Sequence, residues 1–225
     1  SPIFYAVQKN INIQTGQPTI LDFDMQRISQ RINIVFNIRT EGNIKREDLS
    51  APIIELSGAC GRFNIADACL DTTRLYRMAH QVQPDEFTQT GEGTYRCVVH
   101  FHTLGVIPSA AKGHLNGPGI LQVALQVSTP QLDSSGAPVL DEEGNPVKNS
   151  RYIYGAINPY DELTAAQLIE VRNGKIYLRY SKEDVNIEIT TPLVIKADQI
   201  VPNDTGMGWQ PHDPTNPDDD IIIEI

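Results

Sequence analysis

Most of what a catalyst or a membrane-spanning protein needs is missing from this sequence. It holds no Gly-Xaa-Ser-Xaa-Gly elbow, no phosphate loop, no dinucleotide glycine fingerprint and no zinc-protease motif. The expectation is therefore a structural or binding protein and not an enzyme. No apolar run is long enough for a transmembrane helix, and the longest near the end, Ile221-Ile222-Ile223, is strand-sized. Basic charge is scarce: 18 Lys and Arg stand against 28 Asp and Glu, a formal net charge of −10. A surface of that sign repels phosphate, which disfavours nucleic acid and anionic lipid as partners. Only three cysteines occur, Cys60, Cys69 and Cys97, so at least one thiol stays unpaired. No basic and apolar leader precedes the strand-like sequence after Ser1. That leaves a cytosolic chain or the trimmed form of an exported precursor.

What is present is alternation. The 225 residues are 40% hydrophobic and 20% charged, the balance of a globular core rather than of disorder. From Ile28 to Arg39, Ile28, Ile32, Ile34, Phe36 and Ile38 share one face, opposite Arg31, Asn33, Asn37 and Arg39. Tyr95, Cys97, Val99 and Phe101 do the same, opposite Arg96, His100 and His102. Such a period of two marks half-buried strands. Further strands read at Thr19–Phe23, Pro52–Leu56, Leu75–Val82, Ile120–Val127, Arg151–Ile157, Lys175–Tyr180, Val185–Ile189, Leu193–Ala197 and Ile221–Ile225. Asn173-Gly174, between two such runs, is a type I′ hairpin signal, because that turn needs positive φ at both central residues. One short helix is expected over Thr164–Leu168, capped by Asp161 or Thr164.

Many short strands with turn residues between them indicate an all-β sandwich, either one large or two small. The polar stretch Ser128–Asn149 is a linker between two domains, 1–128 and 129–225, or a long hairpin within one; the boundary is placed there. Pro202–Asp220 contains four prolines, several Asp and Trp209, and reads as a loop leading to a final strand.

Each candidate site has a plainer explanation beside it. Gly113-His114-Leu115-Asn116-Gly117-Pro118-Gly119 is glycine-rich but lacks the lysine and strand-to-helix context of a phosphate site, so it reads as a turn. His100 and His102 share a strand face, yet a metal needs a third ligand that nothing in the spacing supplies. Asp213, Asn216, Asp218, Asp219 and Asp220 offer oxygen ligands suited to calcium, but not at EF-hand spacing. Asp24, Glu55, Glu86, Asp161 and Glu162 can be paired on paper as glycosidase acids, as in any chain this acidic. Neither a cofactor nor a metal is expected. Cys60 and Cys69 flank a possible hairpin at Gly61–Ala66 and form a candidate disulfide in an oxidising compartment. Cys97 falls on a core face, where cysteine acts as a small hydrophobe. The β-prone Ile221, Ile222, Ile223 and Ile225, following the Pro/Asp-rich loop, can pair with their own sheet or be donated to a neighbour's open edge.

The run from Leu21 through Asp22-Phe23-Asp24-Met25-Gln26-Arg27 to Ile34 resembles the opening core strand of Bacteroidales fimbrial proteins. Ile54-Glu55-Leu56-Ser57-Gly58-Ala59 with Arg62-Phe63-Asn64-Ile65 is similar to their strand, Ser-Gly, strand unit. Leu75-Tyr76-Arg77-Met78, Gly117-Pro118-Gly119-Ile120-Leu121-Gln122-Val123 and Arg151–Asn158 resemble the segments that follow in the same order. The resemblance implies an exported lipoprotein of the outer membrane or cell surface, reached through the periplasm. It implies a Greek-key, transthyretin-like β-sandwich that serves in adhesion as a fimbrial shaft, anchor or tip component. Its partners would be other subunits joined by strand addition, together with a host or bacterial surface receptor. The lipid-bearing cysteine of such proteins is absent here, so outer-membrane attachment would need an anchor outside this sequence. Two further readings remain: a phage baseplate or head-fibre sandwich, and a carbohydrate-binding module using Trp209, Tyr152 and Tyr154 as stacking platforms.

Overall fold

The structure, a computed structural model, describes residues 2–42, 44–179, 184–196 and 222–224. Its strands are β1 (Phe4–Tyr5), β2 (Gln26–Arg27), β3 (Gln30–Glu41), β4 (Ile53–Asn64), β5 (Cys69–Gln81), β6 (Phe87–Gly91), β7 (Thr94–Thr103), β8 (Leu121–Pro130) and β9 (Lys148–Ile157). Among the described residues one α-helix, α1 (Tyr160–Ala166), precedes β10 (Ile169–Arg172), β11 (Lys175–Leu178), β12 (Val185–Glu188), β13 (Leu193–Lys196) and β14 (Ile222–Glu224). The protein is all-β, as its alternating sequence implies.

Two main sheets share one core. The larger has the order β10-β11-β5-β4-β8-β9, with β14 lying along β5. The other has the order β12-β3-β7-β6, with β13 lying along β3. β3 buries Ile32, Ile34, Phe36 and Ile38 completely, and β7 presents Tyr95, Cys97, Val99 and Phe101 beside them. Leu56, Met78, Val123 and Leu125 of the opposite sheet complete the cluster. Burying each large side chain stabilises by roughly 1.5–3 kcal/mol, so these positions dominate the stability of the sandwich.

The chain closes on itself over long separations. β12 and β13 both run parallel to β3, pairing Val185–Glu188 with Ile32–Val35 and Leu193–Lys196 with Ile38–Glu41. Asn33 Nδ2 donates to Asn186 Oδ1 at 2.8 Å, which fixes that register. The Asn173-Gly174 turn forms as expected, with φ of 50° and 74° joining β10 to β11.

β4 runs further than its apolar pattern. It passes through register shifts at Ser57/Ala59 and Cys60/Arg62 and ends at Asn64. Gly58, at φ +84°, is the first irregular position. There Gly117-Pro118-Gly119 crosses the strand. The Ser57 hydroxyl donates to Gly117 O at 2.7 Å and accepts from Ile120 N–H at 3.0 Å. The glycine-rich run is thus a backbone crossing.

Three expectations need correction. Thr19–Phe23 is not a strand: β1 and β2 pair at the base of a long loop, and the residues between them lie against no sheet edge. The helix starts at Tyr160 after Pro159, without a side-chain cap, so Asp161 sits in its first turn rather than capping it. The boundary at 128/129 falls inside β8, which pairs with β9 from Leu121↔Ile157 to Pro130↔Lys148. The polar stretch is the tip of that hairpin. It contains two tandem octads, Leu132–Val139 and Leu140–Val147, each with a Leu-Asp-Xaa-Xaa-Gly-Xaa-Pro-Val pattern. In each octad the Asp carboxylate accepts backbone N–H bonds within its own turn. The segments interlock through Gln131 N–H to Val147 O, Val139 N–H to Gln131 O and Val147 N–H to Val139 O, each at 2.8 Å.

Candidate functional site

Among the described residues the strands that end the two sheets, β9, β10, β6 and β12, each pair on one side, and β5 has an outer edge that is only partly filled. Along its inner edge β5 pairs with β4 over nearly its whole length. Along its outer edge it meets β11 at one position, Ile176↔Leu70. Further along, it meets β14 in parallel, through Ile222↔Arg77, Ile223↔Met78 and Glu224↔Ala79. Between them, Asp71–Tyr76 has no ladder partner on that side among the described residues. Thr73 and Arg74 are exposed there, and Tyr76 turns inward to lie over Gly61. An extended, partly unpaired edge of this kind accepts a further strand. Of the expected donor residues, Ile222 and Ile223 lie in β14, paired with their own β5. Ile221 and Ile225 lie outside the described residues.

The expected Cys60–Cys69 disulfide does not form. All three cysteines are free and buried. Cys60 opposes Leu75 while Cys69 opposes Asn64. Four residues of β4 and six of β5 separate those positions, about 13 Å or more at 3.3 Å each, beyond the reach of a disulfide. Burial, with the Asp71 carboxylate near, pushes the Cys60 thiol up to about 12. Burial, with Glu86 near, does the same to Cys97, also to about 12. Neither is an activated thiolate at neutral pH.

One titratable cluster escaped the sequence reading. The turn after β5 carries Glu86 between two imidazoles: His80 Nε2 lies 2.8 Å from one carboxylate oxygen and His100 Nε2 3.6 Å from the other. Gln83 N–H donates to the same carboxylate at 2.8 Å, and His100 Nδ1 meets Asn33 Oδ1 at 2.8 Å. Burial pushes the Glu86 carboxyl up, but the hydrogen bonds from Gln83 and His80 and the two imidazoles outweigh it, leaving it below the usual range. Burial, with Arg31 close by, holds His100 below its ordinary value. The cluster ties β5 of one sheet to β3 and β7 of the other. His102 shares the face of His100 but stays outside the cluster, and among the described residues no group of three or more His, Cys, Asp or Glu is placed to hold a metal ion.

The remaining candidates stay apart. Glu55 is buried in β4, while Asp161 and Glu162 sit on α1. Lys112 pairs with Asp161 at 2.6 Å. Tyr152 and Tyr154 stack on β9 with centroids 6.2 Å apart. Trp209 and the acidic residues Asp213, Asn216, Asp218, Asp219 and Asp220 lie outside the described residues. An open cleft of about 610 Å³ near the β4–β5 turn is lined by Arg62, Asp67, Asp71 and Lys175. Its charges compensate one another, Lys175 with Asp67 at 3.0 Å and Arg62 with Asp71 at 4.0 Å. No family model, curated protein or solved structure matches this chain.

Proposed function

We propose that this chain is a structural component of a bacterial surface fimbria, a minor, anchor-like or tip subunit that serves in adhesion and joins its neighbours by strand addition. The observation that supports this reading is the outer edge of β5, where a three-residue strand pairs in parallel beside a stretch of the same edge that has no ladder partner among the described residues. Net, each ladder hydrogen bond contributes only about 0.5–1.5 kcal/mol, so a strand held by three residue pairs opens at little cost. A neighbour's equivalent strand fits the same edge with the same hydrogen bonds. The resemblance of Leu21–Asn158 to fimbrial proteins gives the biological setting for such exchange, and the net charge of −10 suits a partner other than nucleic acid.

Deleting residues 221–225 tests the reading. Assembly would be followed by light scattering and electron microscopy, and folding by thermal melting. Loss of assembly with a melting temperature within a few degrees of the parent supports strand donation. A large fall in monomer stability with no separate assembly defect overturns it.

A further inference from the structure

We propose that the loop between β1 and β2 is a dimerisation arm that packs against the same arm of a second copy of this chain. Among the described residues, seven of the fifteen large hydrophobic side chains left exposed lie in this loop, from Val7 to Met25, and Ile3 and Phe4 stand exposed just before it. The other six are scattered over the rest of the molecule. The base of the arm is fixed. Ile28 N–H donates to Ile3 O at 2.8 Å, the Tyr5 ring packs edge-on against Phe63 at 4.9 Å, and Lys9 Nζ donates to Ala66 O at 2.7 Å. Beyond that base, the backbone hydrogen bond within residues 10–25 is Gln17 N–H to Gln14 O, at 3.4 Å.

The sequence of the arm is nevertheless that of buried strands. Ile11 and Ile13 alternate with Asn12 and Gln14, and Leu21, Phe23 and Met25 alternate with Asp22 and Asp24. Between them, Gly16 at φ +80° reverses the chain. Alternation of this kind makes one apolar face and one polar face. Ile13 is 75% exposed and Ile20 84%. With Ile3 and Phe4 beside it, the arm exposes residue surface on the order of 900 Å² at these positions, close to the ~800 Å² each partner brings to a stable interface.

The occupant follows from the distribution. No other part of the described chain offers comparable apolar area, so the matching surface on a second copy is the same arm, which makes the contact isologous and two-fold. Charge agrees with this pairing. Lys9 stands against Asp22 and Asp24, so the arm carries a formal charge of only −1 in a chain of net charge −10. Two copies can therefore bring this segment together with little repulsion. The inference is independent of strand donation, since β14 lies on β5 and the arm does not.

Sedimentation of the full chain over a concentration series reads the dimer directly. The parent is expected to dimerise, and the variant Ile13→Asn, Ile20→Asn, Phe23→Asn to dimerise at least tenfold more weakly with an unchanged melting temperature, since these side chains contact no core. Mixing labelled parent with unlabelled variant distinguishes arm-on-arm contact from docking elsewhere: mixed dimers must be as weak as, or weaker than, an average of the two homodimers. A parent that stays monomeric up to ~100 µM overturns the proposal, as does a dimer that survives in the variant or mixed dimers as strong as the parent's. Deleting residues 221–225 should leave this dimer intact, which separates its failure from failure of the strand-donation reading.

Discussion

Replacing Gly58 with alanine puts a methyl group into the crossing between β4 and the Gly117–Gly119 turn. The added Cβ would stand 2.6 Å from Gly119 N, 2.7 Å from Ile107 O and 2.9 Å from Pro118 Cβ. Two of these neighbours are backbone, so the crossing itself must open. Opening it strains or breaks Ile107 N–H to Gly58 O at 2.9 Å and Gly119 N–H to Ser57 O at 3.0 Å. Each such bond contributes about 0.5–1.5 kcal/mol, and a side chain at φ +84° costs roughly a further 1–2 kcal/mol. The sum is about 2–5 kcal/mol, or on the order of 10 °C in melting temperature for a chain of this size. Gly113 supplies the control, because it has φ +81° with nothing within 4 Å of an added Cβ. Gly113→Ala should therefore cost only the conformational part, about 1–2 kcal/mol. Calorimetry and urea unfolding of both variants measure the difference. Equal losses at the two positions would refute the claim that Gly58 is required by close backbone approach.

Two other outcomes follow from the same geometry. Acidification should lower stability from pH 6.5 downward: His100, held below its ordinary 6.5, takes up its proton in the unfolded chain first, so folding weakens as pH falls through that value. Glu86, held below its ordinary 4.5, adds stability that is present above 4.5 and lost as pH falls further, so both groups act in the same direction. Melting curves between pH 7.5 and 5 should show the decline, and His100→Asn should flatten its upper part. Thiol titration without reductant should find three thiols in urea and almost none accessible in the folded chain at pH 8. A count of one in urea would mean a disulfide that the β4–β5 register forbids.

The sequence reads clearly where one strand face is buried and the other is not. β3 and β7 alternate cleanly because Ile32, Ile34, Phe36 and Ile38 meet Cys97, Val99 and Phe101 in one core, and Asn173-Gly174 marks its turn because few other residues adopt that backbone. The pattern fails where pairing rather than burial decides. Thr19–Phe23 alternates well but has no edge to join, so its apolar residues stand exposed. β4 extends through two bulges that break the period at Gly58 and Gly61. β6, Phe87-Thr88-Gln89-Thr90-Gly91, has a single buried residue and no period to detect. The parallel pairing of β12 and β13 with β3 joins residues about 150 positions apart, which local sequence does not specify. The cluster of His80, Glu86 and His100 depends on that tertiary arrangement too: the turn at Glu86 brings one carboxylate against rings from both sheets. Spacing suggested His100 with His102, but register selected His100 with His80. The cysteines teach the same lesson, since a separation of nine in sequence says nothing about which residues a long, bulged hairpin sets opposite one another.

Strand addition at the outer edge of β5, as proposed, requires that this edge take a strand from a separate molecule. Fluorescence anisotropy of a labelled peptide of residues 216–225, titrated with the chain ending at residue 215, measures this most directly. Saturable binding is expected, which unlabelled peptide competes away and which Ile222→Lys with Ile223→Lys in the peptide abolishes. A truncated chain that melts cooperatively yet leaves the peptide free at every concentration would contradict it.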